Sequence, residues 1–249
     1  GLFIHASFSF AGSYEDFFIA IKNDEVKVIS SLFVRGFDPN TVDLNGEPAI
    51  LNTLRHGSLK SFELIAKHPK LKLNVFNSHG ESALMLLCLK GELELVKMLI
   101  KRDADINHPG WTPLHYAATG GHTAIIQLLL EESAYIDAES PNGTTPLMMA
   151  CQGPGGEDDP PLAGAQLIAQ EEAVRFLIEQ GAEINAVSDN GNTAIGNAVR
   201  RGNTSIVRIL LDSGAKATEA LPRGQSLLEL AKARGHADTV DILAKIGKK

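Results

Sequence analysis

Residues 112–122 read Thr-Pro-Leu-His-Tyr-Ala-Ala-Thr-Gly-Gly-His, and this stretch decides the fold. Thr112 is a residue type that caps helix N-termini, and Pro113 suits the first helical position because its missing N–H has no partner there. Gly121 can end a helix in the left-handed conformation at little cost. The stretch therefore predicts a short helix that starts after Thr112 and ends at Gly121.

A second helix follows at 124–130, where Ile125, Leu128 and Leu129 form one apolar face. The two segments together resemble the ankyrin consensus T-P-L-H-x-A-A-x-x-G-H, and residues 181–185 resemble its G-A-D-V-N ending. The resemblance implies helix-turn-helix units that stack on one another. One such unit cannot bury its apolar face alone, so stacking supplies the core.

The residue that ends each unit recurs along the chain at Asn40, Asn74, Asn107, Asp137, Asn185 and Thr218. The spacings are 34, 33, 30, 48 and 33 residues, close to the ankyrin period of about 33. We therefore predict an all-α ankyrin-repeat solenoid in one domain, 12–247, with short β-hairpin-like connecting loops. Its seven predicted repeats are 12–40, 41–74, 75–107, 108–137, 138–185, 186–218 and 219–247. The first repeat lacks the T-P-L-H box, and its first helix is expected from about Tyr14 to Lys22.

Two repeats depart from the common length. The fourth is three residues short at 108–110, and the fifth carries 15 extra residues within 152–170. The Gly- and Pro-rich half of this insertion, 153–161, cannot form a regular helix, whereas 162–170 is expected to extend the next helix backwards. Its acidic residues Glu157, Asp158 and Asp159 could shield a binding groove or extend it, or the insertion could be a tolerated surface loop, since long loops cost little.

Charge and hydropathy exclude two classes of protein. The chain has 23 Lys and Arg against 30 Asp and Glu, a net charge of −7, whereas nucleic-acid binding needs clustered cations. No apolar run approaches the ~18 residues of a membrane span. We expect a monomer that binds neither nucleic acid nor the membrane interior.

Residues 1–11 are apolar, and Ser9-Phe10-Ala11 has the small-x-small form of a signal-peptidase site. They are interpreted as a leader remnant or an N-terminal extension, with foreign residues or a strand-like cap as alternatives. The location would be periplasmic or secreted with a leader, and cytoplasmic without one.

No catalytic or metal motif is present: the eight histidines are scattered, and H-E-x-x-H, C-x-x-C and the P-loop are absent. We expect no catalytic residue, no metal and no cofactor, although His79 and His108 near adjacent turns leave a surface metal site conceivable. Cys88 and Cys151 are interpreted as small buried apolar residues. The resemblance implies that His115 is structural and ties neighbouring repeats, and His122 and His236 are interpreted in the same way.

The resemblance also implies binding through a concave surface lined by turn tips and by the exposed ends of the first helices. The two residues before each helix-ending glycine, or before Asp24 in the first repeat, include six cations and no carboxylate: Lys22, Arg55, Lys90, Arg200, Arg201 and Arg234. His56 lies beside Arg55. These positions predict an electropositive groove for an acidic segment of a protein partner. The alternative is that the helix dipole favours cations at helix C-termini in any protein.

The turn tips supply further candidates, namely Ser78, His79, Asp189, Asn190 and Trp111. Trp111 is the one tryptophan, and aromatic residues dominate binding hot spots; alternatively, it fills space left by the shortened turn. The sequence thus predicts a non-catalytic protein-interaction scaffold. Alternatives are an exported bacterial-type ankyrin protein with a protective or inhibitory partner, a targeting domain of a larger enzyme, and a groove for a small anion.

Overall fold

The computed structural model describes residues 4–156, 159–217 and 224–246, with side chains from residue 12 onward. The regular structure of these residues consists of 14 helices in seven consecutive pairs, joined by turns. The helices are α1 Ile4–Lys22, α2 Val26–Val34, α3 Ala49–His56, α4 Leu59–Ala66, α5 Ala83–Lys90, α6 Leu93–Ile100, α7 Pro113–Gly120, α8 Thr123–Glu131, α9 Pro146–Gln152, α10 Gly164–Glu179, α11 Ala194–Arg201, α12 Thr204–Asp212, α13 Leu227–Ala233 and α14 Ala237–Ile246. The all-α ankyrin fold is confirmed.

The helices group into two compact parts. The N-terminal part comprises Gly1–Leu86 and Lys97–Asp105, and the C-terminal part comprises Leu87–Val96 and Ile106–Lys249. The borders of the seven repeats and their union in one domain stay predictions, and the mark at Thr218 lies outside the described residues.

The connecting loops are tight turns with hairpin-like hydrogen bonds. The N–H of Asp43 donates to the carbonyl of Glu47 at 2.9 Å, and that of Ser188 donates to Asn192 at 2.9 Å. Single antiparallel bridges form at Val42–Pro48 and Phe76–Ser82. Each turn carries a glycine with positive φ, as at Gly46 with +79°, a conformation that disfavours other residues.

The first helix is longer than predicted. α1 begins at Ile4 rather than near Tyr14, so the predicted start was wrong. Residues 4–10 are helical, which also contradicts the alternative of a strand-like cap. No proline interrupts residues 4–22, and Gly12 is the single glycine there. Because one glycine costs a helix only about 1 kcal/mol relative to alanine, the helix can continue into the apolar segment. Phe17 and Ile21 near its C-terminus are fully buried in the N-terminal part.

His115 caps its own helix and binds the next repeat. Its Nδ1 accepts the N–H of Thr112 at 3.1 Å and lies 2.9 Å from the Thr112 hydroxyl. Because Nδ1 is an acceptor, Nε2 carries the proton and donates to the carbonyl of Thr144 at 2.8 Å. The structural role expected for His115 is confirmed.

Two histidines that follow helix-ending glycines reach back to the preceding repeat. His122 Nε2 lies 3.0 Å from the carbonyl of Leu89, and His236 Nε2 lies 3.1 Å from that of Arg200. A Cβ on Gly202 would lie 2.5 Å from the His236 ring. Glycine is therefore required there both by its positive φ and by the imidazole packed against it. The structural interpretation of both histidines is confirmed.

The terminal asparagines form a second set of links between repeats. Asn107 donates through Nδ2 to the carbonyl of Ser133 at 2.9 Å and accepts the N–H of Tyr135 through Oδ1 at 3.0 Å. Equivalent paired bonds start from Asn40, Asn74 and Asn185. Asp137 forms only one bond of such a pair, in which its side chain accepts the N–H of Glu183 at 2.9 Å. The residues that mark the period are therefore contact points between repeats.

The core of each part consists of side chains from the first and second helices. Leu114 and Leu147 are fully buried, as their places in the Thr-Pro-Leu boxes predict. Cys88 and Cys151 are unpaired and fully buried, and burial raises the pKa of both thiols. Their interpretation as small core residues is confirmed. None of the helices in the described ranges is long and apolar enough to cross a membrane.

The asparagine links can be tested with an isosteric change. In Asn107→Asp the side chain keeps its acceptor for Tyr135 but sets a carboxylate oxygen against the carbonyl of Ser133. We expect urea denaturation to show a loss of about 1 kcal/mol in the free energy of unfolding. Asn190→Asp is the control, because it adds the same charge at an exposed position. An equal loss in both variants would assign the effect to charge alone.

The buried imidazole predicts a pH dependence. Burial lowers the pKa of His115 below its ordinary value of 6.5, against the opposing effect of its hydrogen bonds to backbone carbonyls. The unfolded chain therefore takes up this proton at higher pH than the folded chain. The stabilisation from the neutral imidazole is complete above about pH 6.5 and declines as the pH falls below it.

We expect the free energy of unfolding to fall less steeply between about pH 7 and about pH 5 in His115→Gln than in the unmodified chain. His79→Gln, which removes an exposed imidazole, is the control. Identical slopes for the unmodified chain and His115→Gln would contradict this account.

Candidate partner-binding surfaces

In the N-terminal part, the predicted contact residues lie at helix ends and in turns. Lys22 is exposed in the last turn of α1, and Arg55 and His56 are exposed in the last turn of α3. The Arg55 guanidinium lies 2.9 Å from the carboxylate of Glu47, which is buried. Arg55 therefore already neutralises a charge within the fold, and its contribution to a positive surface is reduced.

Turn tips carry the remaining polar candidates. Ser78 and His79 are exposed in the turn before α5, and Asp189 and Asn190 are exposed in the turn before α11. The N–H of Asp189 donates to the carbonyl of Asn142 at 3.0 Å, which joins two successive turns of the C-terminal part. The side chains at these tips stay accessible while the backbone beneath them is fixed.

The C-terminal part places three predicted cations at the ends of first helices. Lys90 is exposed at the end of α5, and Arg234 is half-buried just after α13. Arg200 donates to the side-chain oxygens of Asn197 and Asn192, both at 3.0 Å. These bonds hold the Arg200 guanidinium in one place.

The exposure predicted for Arg201 is wrong. The residue is 3% exposed, and its guanidinium donates to the carbonyls of Pro154, at 3.2 Å, and Gly156. It also lies 3.6 Å from the carboxylate of Asp159. The insertion of the fifth repeat covers this arginine, so Arg201 binds its own chain.

The insertion is held at several points along its described length. Leu162 is buried, and its N–H donates to the side chain of Asn203 at 3.0 Å. α10 then begins at Gly164, two residues later than predicted, and confirms the backward extension of the helix. Glu157 and Asp158 lie outside the described residues. Asp159, the third acidic residue, shields one predicted cation of the groove.

Gln170 on α10 replaces the donor that other repeats supply after the glycine. Pro154 follows Gly153 in this repeat and has no N–H or side-chain donor. The fully buried Gln170 amide lies 2.9 Å from the carbonyl of Ala150 and 3.2 Å from that of Thr119. The inserted helical turns therefore restore the link between repeats.

Trp111 borders an open cavity of about 210 Å³ in the C-terminal part. Its ring is half-buried and meets His115 edge to face, with centroids 5.2 Å apart. We call this space the Trp111 cavity; its lining residues are Leu89, Trp111, His115, Tyr116, Thr119 and Met149. Three successive first helices and one turn contribute to it.

Sequence reasoning found Trp111 but missed Tyr116 and Met149. Both follow the fourth residue of a Thr-Pro-Leu box, at 112–115 and at 145–148. Superposing the two boxes would have placed the two side chains at equivalent positions of neighbouring helices. The signal was available, but the apolar character of both residues suggests core rather than surface.

Within the described stretches of the chain, no three His, Cys, Asp or Glu side chains are grouped so as to hold a metal ion. The described side chains of the C-terminal part offer exposed turn tips, the Trp111 cavity and cations at helix ends as contact surfaces.

Comparison with known protein families agrees with this architecture. The family described as ankyrin repeats (3 copies) matches residues 107–158 and 163–249, more than half of the chain. The family described as ankyrin repeats (many copies) matches residues 74–130. The chain belongs to the ankyrin-repeat family.

Three curated relatives illustrate the range of similar proteins. The rat "Ankyrin repeat and SAM domain-containing protein 6" is 32% identical over 43% of this chain and 12% of its own length. The mouse "Protein phosphatase 1 regulatory subunit 27" is 35% identical over 39% of this chain and 64% of its own. The Xenopus tropicalis "Notch-regulated ankyrin repeat-containing protein" is 36% identical over 33% of this chain and 77% of its own length. The first two are thus matched over less than two thirds of their length.

The hydrogen bonds between Arg201 and the insertion can be tested by Arg201→Ala. We expect the free energy of unfolding to fall by about 1–2 kcal/mol, because charge-assisted hydrogen bonds are lost. Limited proteolysis within 153–163 should accelerate as this segment opens locally. The control is Arg208→Ala, which truncates an exposed arginine of α12. Equal cleavage rates in both variants would show that Arg201 does not hold the segment.

Proposed function

We propose that this chain is a non-catalytic scaffold that binds a segment of a partner protein on the C-terminal part, with the Trp111 cavity as the anchor site. The observation that carries the proposal is an open apolar cavity of about 210 Å³ built from three successive first helices. Since a cavity of about 150 Å³ accommodates benzene, this one can accept a single bulky apolar side chain. Trp and Tyr, which border it, are enriched in binding hot spots.

The cations at helix ends support an acidic partner segment. Lys90 directly follows Leu89 of the cavity lining, and Arg200 and Arg234 end the first helices of later repeats in the same part. Positive charge beside an apolar anchor favours a partner that pairs an apolar side chain with carboxylates. Arg201 is omitted from this surface because the insertion covers it.

The relatives support a role without chemistry of its own. The mouse relative is named as a regulatory subunit of a phosphatase, and a regulatory subunit acts by binding. The rat relative's name joins ankyrin repeats to a SAM domain, which fits a recognition module that can also serve within longer chains. Fold alone does not define function, so the cavity and the cations carry the argument.

To test the proposal, a partner is captured from the source cells, and its affinity for the purified chain and its variants is measured by calorimetry. Trp111→Ala should weaken binding by about 2 kcal/mol, roughly thirtyfold in Kd. Arg200→Glu and Arg234→Glu should weaken binding most at low salt, because salt screens exposed charges. Arg208→Glu, on the second helix of its pair, serves as the matched control.

Unchanged affinity in Trp111→Ala would remove the Trp111 cavity from the interface. Loss of affinity in Arg208→Glu equal to that in Arg200→Glu would show that net charge, and not the helix-end cations, decides binding. A captured partner whose binding site lacks carboxylates would contradict the acidic specificity.

A further inference from the structure

The N-terminal part carries a cluster of exposed apolar side chains around α1 and the turn at 43–45. Leu44 is 93% exposed, Ile19 57% and Val42 44%. These are three of the seven large hydrophobic residues that are exposed in the described part of the chain. Since contiguous exposed apolar patches mark binding surfaces, a cluster of this kind calls for an occupant.

Ile19 and Leu44 of this cluster line a pocket of about 350 Å³, which we call the α1 pocket. Its lining includes Tyr14, Glu15, Phe18 and Ile19 of α1 and Asp43 and Leu44 of the turn.

The walls of the α1 pocket are held in place. The Tyr14 hydroxyl donates to the carbonyl of Val42 at 3.0 Å, and the Tyr14 and Phe18 rings pack with centroids 5.0 Å apart. These contacts tie α1 to the turn, so binding would need little ordering of the pocket.

The charges at the α1 pocket are opposite to those proposed for the partner site on the C-terminal part. The described lining contains two carboxylates, Glu15 and Asp43, and no Lys or Arg. Asp43 is fixed by the N–H groups of Asn45 and Glu47, at 2.8 and 2.9 Å, and by the amide of Asn52 at 2.9 Å. Glu15 is exposed. A positive group beside an apolar side chain would complement this lining.

We propose that the α1 pocket binds a linear segment of a partner protein in which a bulky apolar side chain neighbours a lysine or arginine. The apolar side chain enters between Phe18, Ile19 and Leu44, and the cation lies near Glu15 and Asp43. This site goes beyond the proposed function, since it recognises basic rather than acidic segments. One chain would then contact two segments of opposite charge.

The probes are pentapeptides with acetylated and amidated ends, titrated into the whole isotope-labelled chain and followed by NMR. Their sequences are Ser-Lys-Leu-Lys-Ser, Ser-Glu-Leu-Glu-Ser and Ser-Lys-Ser-Lys-Ser. We expect shift changes at 14–19 and 43–45 with the first peptide, and binding at least about tenfold weaker without the central leucine, because its burial supplies the affinity. The glutamate-flanked peptide should also bind more weakly.

Variants of the α1 pocket sharpen the test. Leu44→Ser should weaken the lysine-flanked peptide by about tenfold, and Glu15→Gln by about twofold to fivefold, less so at high salt. Val34→Ser is the control, because Val34 is 87% exposed outside the pocket. Leu44 is so exposed that its replacement leaves the fold intact, which circular dichroism checks.

Shift changes that fall on 111–119 instead would overturn the proposal, as would equal binding of all three peptides or equal loss in Val34→Ser. Analytical ultracentrifugation tests whether a second copy of this chain occupies the α1 pocket instead. Self-association that Leu44→Ser abolishes would show that it does, and would also overturn the proposal. Trp111→Ala should leave peptide binding unchanged, so failure here and failure of the Trp111 cavity are distinguishable.

Discussion

A helix ends with carbonyl groups that have no partner within the helix, and in this chain the next repeat must supply the donor wherever stacking buries those carbonyls. His122 binds the carbonyl of Leu89, Asn203 that of Cys151, and His236 that of Arg200. Each acceptor lies two residues before a helix-ending glycine. A buried carbonyl without a partner would cost about 1–3 kcal/mol, so in these three repeats the link favours a side chain with a donor after the glycine.

The fifth repeat shows how strong that constraint is. Its helix-ending glycine is followed by a proline, which has no N–H or side-chain donor. The donor comes instead from Gln170, which lies at the end of the insertion. The extra residues are therefore tolerated because the helix that follows them restores the link. The same insertion covers Arg201, and thus a change in chain length also changes the charges that a partner would meet.

The helix ends contribute to stability and, in the proposed function, to recognition. Their carbonyls bind the next repeat, while side chains at the same positions, such as Lys90 and Arg200, remain at the surface. The helix dipole favours cations there, so the basic character of the C-terminal part has a structural origin as well as the proposed binding role. The α1 pocket lies where no helix end contributes, and its carboxylates give it the opposite preference.

The sequence by itself determined the repeat, the caps and the helix ends, because these depend on residues a few positions apart. The roles of Thr112, Gly121 and the terminal asparagines can be predicted from their local spacing. Only the tertiary structure decided that Arg201 is buried, and that Trp111, Tyr116 and Met149 border one cavity. It also decided that Leu44 is exposed beside residues 14–19 of α1. The contacts of Arg201 join residues more than 40 positions apart, and such contacts depend on how the insertion folds back over its neighbour.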